Sequence, residues 1–407
     1  MSEGYQEASF GKRLQAIRER SGMTRATLGG LVGRSAEWVK SIEKGRLQMP
    51  RLDMLTQLAA ALGCDLAELV GGEHPIIVAP YVKEAHPALL EIREALTSYP
   101  IGRDDEEPAT AAELAERVRH AWMVWHGSRA NHRTRIAALL PPLLADLRYA
   151  ARVHEGKERR SVLASLAEAY HLAQLFLSFQ PAPDLVLLTG DRGMEAALEA
   201  DNPRAIASAA WYMNHVFRDA GERHEARVEM AMQAARLLDP EKDSDELARW
   251  GLLHLAVALS YAKVGRAGDA WRYWDIAYEA AQKLGRSYAH PYLIFGMGIV
   301  EGYAVTMHDD LMQGGKAVEA AAKVDLRLIP SATRRAFHII ETARGHWQRG
   351  EQAAVVHLLN KAHRESPETI RFNIFSRRAV SDMVSNPPSM LREDVDSLAQ
   401  KLGVAAR

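Results

Sequence analysis

The chain has 407 residues, 47% of them hydrophobic, and 51 basic against 52 acidic side chains leave a formal net charge of −1. That length allows roughly two or three domains with sizeable cores, and the neutral balance excludes a protein that coats nucleic acid or a membrane along its whole length. Cys64 is the single cysteine, which excludes an internal disulfide framework and fits a reducing cytosol. The polar, acidic start MSEGYQEASF does not read as a signal peptide, and no run of about 18 apolar residues appears, so a cytoplasmic protein that spans no membrane is expected.

Taken in chain order, Phe10, Leu14 and Ile17 recur at helical spacing and predict a first helix. Thr24 reads as an N-cap for a short helix over Arg25 to Val32, and Gly33 breaks it by tolerating a left-handed backbone. Ser35 then caps a second short helix through Ala36 and Ile42, with Leu28, Val39 and Ile42 placed to pin the two together. Gly45 to Pro50 reads as a loop beside a sugar-phosphate backbone. Leu52, Leu55, Leu58, Ala59 and Leu62 predict a fourth helix ending at Gly63. Asp65 and Glu68 form a capping-box variant that starts a fifth, Leu66 to Val70, with Cys64 as a small apolar residue in the turn between them.

Between Lys12 and Arg51 ten basic residues face three acids, a local charge of +7 in a neutral chain. Such a concentrated positive face is the electrostatic footprint of a DNA-binding module. A helix-turn-helix leads with the N-terminal residues of its second helix into the major groove. Ser35, Ala36, Glu37, Lys40 and Ser41 are therefore the expected base readers: Lys40 donating to guanine, Glu37 accepting from cytosine, Ala36 touching a thymine methyl. Arg25, Lys44 and Arg46 are expected on phosphates, and Trp38 either against the DNA backbone or buried between helices. The spacing of Thr24, Leu28, Gly33, Ser35, Ile42, Glu43 and Gly45 resembles the phage-repressor type helix-turn-helix of bacterial transcription regulators, over roughly Phe10 to Val70. Arg25 stands where that pattern prefers Gln, and Gly29 where it prefers Ala.

Gly71-Gly72 followed by Pro75, Pro80 and Pro87 mark a linker over 73–87, dividing a DNA-binding domain at 1–72 from a helical region at 88–407. Within that region Ala258, Tyr261, Gly265, Ala270, Trp274 and Ala277 have the spacing of a tetratricopeptide repeat, a helical hairpin of about 34 residues. Ala343, His346, Gly350, Val355, Leu359, Ala362 and Pro367 form a second copy, and Asn214, Phe217, Gly221, Ala226 and Met230 a weaker one. Further hairpins are expected over Ala121 to Leu147, Ser161 to Ala200 and Ile299 to Val324. One hairpin cannot bury its apolar face alone, so they should stack into a solenoid. The fold class is thus all-α: a five-helix helix-turn-helix domain followed by an α-solenoid of tetratricopeptide-like hairpins.

FGMGIV (Phe295 to Val300), HIIETARGHWQRG (His338 to Gly350) and SPETIR (Ser366 to Arg371) resemble the C-terminal halves of actinobacterial regulators that join this DNA-binding domain to such repeats. Ile299 stands where that family usually has Asn. More distantly, the architecture is similar to the peptide-sensing quorum regulators of Gram-positive bacteria. That resemblance implies a dimer with a short signalling peptide bound in the repeat concavity, a small apolar signal being the alternative effector; and because one helix-turn-helix covers half a site, a homodimer on a pseudo-palindromic double-stranded DNA operator is expected. In register with the repeats, Trp211, His215 and Arg218 fall on one concave face with Asn214 beside them, and Arg344, Trp347 and Gln348 on its C-terminal equivalent. Aromatics would stack on an effector, the arginines clamp a carboxylate, and the amide serve a peptide backbone.

Catalytic chemistry finds little support. The sixteen histidines form no metal-binding spacing, Gly314-Gly315-Lys316 lacks the leading Gly and the Ser/Thr of a phosphate loop, and no nucleophile motif appears. No cofactor and no enzymatic activity are expected. The sequence reads as an effector-responsive transcription regulator, with a protein-docking adaptor or antitoxin-like partner as the alternative.

Overall fold

The computed structural model describes residues 10–47, 49–50, 52–70, 83–99, 107–219, 224–385 and 389–404. Among these residues it is helical throughout, with no strand. The N-terminal domain holds α1 (Phe10–Arg20), α2 (Arg25–Leu31), α3 (Ala36–Glu43), α4 (Leu52–Leu62) and α5 (Leu66–Val70). Leu14, Ile17, Leu28, Val39, Ile42, Leu58 and Leu69 make its core, the apolar positions that the helical spacing marks. Glu68 does not complete the capping box expected at Asp65: its carboxylate is turned to Arg20, 2.7 Å away.

After α6 (Leu89–Thr97) the chain runs in helix pairs. They are α7 (Ala111–Gly127) with α8 (His132–Val153), α9 (Gly156–Leu177) with α10 (Pro183–Glu199), and α11 (Pro203–Asp219) with α12 (His224–Ala235). Then come α13 (Ser244–Lys263) with α14 (Ala267–Leu284), α15 (Met297–Asp310) with α16 (Gly314–Ala321), and α17 (Ala332–Gln348) with α18 (Gln352–Glu365). α19 (Pro367–Phe372), α20 (Ile374–Ser385) and α21 (Arg392–Leu402) follow. The periodic positions fall where hairpin geometry needs them. Ala258 and Tyr261 lie on α13, Gly265 turns the chain with φ +83°, and the buried Ala270 and Ala277 lie on α14. Likewise Ala343 and His346 lie on α17, Gly350 turns at φ +75°, and Pro367 opens α19. Of the weaker copy, Gly221 and the side chain of Phe217 lie outside the described residues.

First helices pack on first helices, from α7 through α9, α11, α13 and α15 to α17, and α17 returns against α7. The row is therefore closed into a ring. Close approach is bought with missing side chains: a Cβ on Gly302 of α15 would strike the His338 ring of α17, and one on Gly251 of α13 the Phe295 ring. Gly298 of FGMGIV allows the same close approach, facing Leu328 and Ile329. His338 is buried there, and burial pushes its imidazole down to about 3, so it packs as a neutral ring.

Two further contacts place the DNA-binding domain. Gly22, before α2, lies against the His224 ring, and Gly30 of α2 against Met312 in the α15–α16 turn. Gly265 in the α13–α14 turn lies against Thr24 and Thr27. The domain thus sits with one side of α2 on the turns of the ring. The linker expected over 73–87 ends in ordered contacts: Glu84 is ion-paired with Arg371 and Arg377, and His86 is buried. Residues 71–82 lie outside the described residues.

Candidate nucleic-acid interface

Two N-caps shape the helix-turn-helix. Thr24 adopts an extended backbone and its side chain accepts from the Thr27 amide at 3.1 Å; Ser35 does the same for the Trp38 amide at 3.1 Å. Gly33, with φ +66°, turns the chain between α2 and α3, and Gly45, with φ +67°, ends α3. Such angles are unstrained for glycine alone among common residues.

Beneath this turn lies a group that spacing alone does not reveal. Glu43, the last residue of α3, is 4% exposed and binds two arginines. Arg18 of α1 donates to Oε1 at 2.5 Å and Oε2 at 3.3 Å, and to the Met23 carbonyl at 2.7 Å; Arg25 of α2 donates to Oε2 at 2.7 Å. One carboxylate therefore ties α1, α2 and α3 together. Arg25, expected on phosphate, is held by this bond while its side chain stays a third exposed.

The expected base readers lie along the outer face of α3. Ser35, Ala36 and Glu37 are exposed, Lys40 and Ser41 half-buried, and Lys44 and Arg46 exposed. Ser35 accepts a capping bond and keeps its hydroxyl proton to donate. Glu37 and Lys40 are paired at 3.1 Å, and Arg46 stands 3.9 Å from the same carboxylate. Trp38 takes the second of its two alternatives in part: half-buried, it packs on the domain core, with the Arg34 guanidinium 5.7 Å above its ring. Among the described residues, the ring contacts named above fall on α2 and the turn before it, and Ser35, Ala36 and Glu37 stay exposed. Cys64 is no thiolate; burial, with Glu68 nearby, pushes its thiol up to about 12.

The residues expected on an effector fare differently. Trp211 is 2% exposed, edge-on to His215 at 4.6 Å and Tyr303 at 6.1 Å. Asn214 is buried, with Nδ2 donating to the Arg227 carbonyl at 3.1 Å and Oδ1 3.4 Å from the Ser260 hydroxyl, whose nearer acceptor is the Ala256 carbonyl at 2.9 Å. Its amide nitrogen is thus engaged inside the ring in this conformation. Arg344, expected to clamp an effector carboxylate, is bound to Asp310 at 2.5 Å and Glu341 at 3.2 Å, so its guanidinium already holds two carboxylates of the chain in this conformation. Gln348 donates to the Asp309 carbonyl at 2.9 Å, and Trp347 is half-buried beside Phe375. The side chain of Arg218 lies outside the described residues. In this conformation the described ones among these side chains pack the ring.

Residues 9–70 match the family model of a helix-turn-helix domain. Comparison with curated proteins returns no match. Among solved structures, the crystal structure of BtubC (BKLC) from P. vanneervenii is similar over 63% of this chain and 89% of that one, at 11% identity and a TM-score of 0.33. The chain thus has a helix-turn-helix domain, which supports a DNA-binding regulator. No helix among the described residues is long and apolar enough to cross a membrane.

Proposed function

We propose that this protein is a sequence-specific transcription regulator, acting as a cytoplasmic homodimer on a pseudo-palindromic operator, whose helical ring responds to a peptide or small-molecule effector. It has no catalytic role in this reading. The observation that carries the DNA-binding part is the open face of α3: Ser35, Ala36, Glu37, Lys44 and Arg46 are exposed and Lys40 and Ser41 half-exposed on a segment of charge +7, while the ring contacts named above fall on α2 and the turn before it. The effector part rests on the resemblance of the repeats and on a ring interior crossed by buried aromatic and ionisable groups. An effector acts by binding one arrangement of ring and DNA-binding domain better than another.

Roles within α3 separate by mutation. Lys40→Ala should weaken the preferred DNA sequence by about 1–3 kcal/mol and leave random DNA nearly unaffected, because a base contact is lost. Arg46→Ala should weaken all sequences alike and lower the salt dependence by about one unit of slope, because a phosphate contact is lost. Titrations of both variants against selected and random duplexes check this; equal losses on both DNAs for both variants would refute the division of roles.

A further inference from the structure

Two charges turn into the interior of the ring without a partner of opposite sign. The first is Glu168 of α9. This helix packs on α7, α8, α10 and α11, yet the charges that act on the Glu168 carboxyl are Arg249 and Asp245 of α13, so it faces across the ring. Burial pushes that carboxyl up to about 7, with Arg249 opposing and Asp245 adding to the rise. The residue is half-buried, so solvent-sized space still reaches it. No described residue gives it a hydrogen bond or an ion pair.

The second is Arg334 of α17. That helix packs on α7, α15, α16 and α18, yet the guanidinium acts on Tyr212 of α11 as well as on His126 of α7, so it too faces inward. Its side chain donates to the Tyr303 hydroxyl at 3.2 Å, and no carboxylate among the described residues pairs with it. It is likewise half-buried. A folded chain ordinarily pairs a charge that it takes out of water. These two do not pair with each other, because they stand on helices that are not neighbours in the row.

Aromatic rings lie between them. Tyr212 is within reach of both charges, and Tyr292, which precedes α15, is within reach of Glu168. Trp122 of α7 has its ring 6.4 Å from that of Tyr212 and 6.0 Å from that of Tyr292. It is 1% exposed, and its Nε1, which can only donate, has no hydrogen-bond partner among the described residues. The interior thus offers an acceptor at Glu168, a donor at Arg334, and an unused indole donor among aromatic faces.

We propose that the ring interior binds a short peptide with free ends, its ammonium on Glu168 and its carboxylate on Arg334. A guanidinium takes a carboxylate through two parallel bonds, and an ammonium is drawn both to a carboxylate and to the faces of tyrosine rings. Trp122 Nε1 donates to a peptide carbonyl. Arg344 has two carboxylates in hand, so Arg334 takes the clamping role. The proposal rests on the effector reading above and narrows it, because a small apolar signal would leave both charges unpaired.

The test is retention of peptides by the full chain, read by mass spectrometry. The probes are random dipeptide, tripeptide and tetrapeptide pools with free ends, with an acetylated N-terminus, or with an amidated C-terminus. Free-ended peptides should be retained, and either block should lower retention about tenfold or more, since each removes a charge-assisted bond. In Glu168→Gln acetylation should cease to matter while amidation still does; in Arg334→Gln the reverse is expected. No retention of any pool, or equal retention of free and blocked pools by the native protein, would overturn the proposal. So would variants that discriminate among the pools as the native protein does. Should a variant fail to fold, free against blocked pools on the native protein decide alone. Operator binding with a retained peptide separates this site from the effector reading. Retention without a change in operator affinity keeps the site and removes its regulatory role, whereas no retention removes the site and leaves an effector bound elsewhere.

Discussion

Glu43→Ala is expected to destabilise the DNA-binding domain by about 3–5 kcal/mol, because it strands two arginine charges, one of them buried. Arg18 is 7% exposed at its side chain and keeps only the Met23 carbonyl and the exposed Glu19 as partners once the carboxylate is gone. Arg25 swings free of α3, and with it goes the tie that fixes α2 against the recognition helix. Glu43→Gln retains one acceptor and the shape of the side chain, so it should lose less. Calorimetry of the full chain should show the transition of the N-terminal domain moving down while that of the ring stays, with DNA binding lost at the lower temperature. An unchanged transition in Glu43→Ala would mean that desolvation of the three groups cancels their attraction.

In the ring, Arg344→Ala should cost about 3–5 kcal/mol for the same reason with the signs reversed. Three carboxyls, Asp309, Asp310 and Glu341, surround this guanidinium, with Lys263 3.8 Å from Asp310 as the other cation. Asp309 is fully buried and neither of its oxygens has a hydrogen-bond partner. Burial pushes its carboxyl up to about 9, with Arg344 opposing and Glu341 and Asp310 adding to the rise. The folded protein therefore holds a proton on Asp309 that the unfolded chain, with an ordinary value near ~3.9, has released. Between those two values folding takes up a proton, so the contribution of this group to stability falls as pH rises, by at most about 1.4 kcal/mol per pH unit, and levels off above about 9. Asp309→Asn removes the titration and keeps the shape. It should gain on the native protein as pH climbs from about 6 to about 9, read from urea unfolding across that range. A gap that stays constant with pH would place the proton elsewhere.

How far the sequence carries is clearest residue by residue. Thr24 and Ser35 are legible because an N-cap is a local device: the hydroxyl, the helix start and the glycine that precedes or follows are all within a few positions. The hairpin positions around Gly265 and Gly350 are legible for the same reason, as periodicity is set within each pair. Glu43 is visible as part of a pattern, but not as the acceptor of Arg18, because that pairing spans 25 positions and two helices. Glu368 is harder still. No spacing announces that an acid in SPETIR caps a helix 235 residues earlier, since ring closure is a property of all the pairs together. The expected effector face meets a related point. Helical register identifies which side of α11 carries Trp211 and Asn214, yet whether that side is open or filled depends on the helices that close over it. Asn214 and Arg344 are polar residues with partners inside the ring, and polarity alone cannot distinguish them from residues awaiting a ligand.

The central claim, that the exposed face of α3 reads DNA sequence, is tested most directly by selecting bound duplexes from a randomised pool with the full chain. The expected result is enrichment of a pseudo-palindrome whose half-sites lie about 10 bp apart, centre to centre, or a multiple of that, as two symmetry-related recognition helices require. Lys40→Ala should lose preference at one position in each half-site. Recovery of DNA with no enriched sequence, or an enriched sequence that Lys40→Ala and Glu37→Ala select identically to the native protein, would contradict the account.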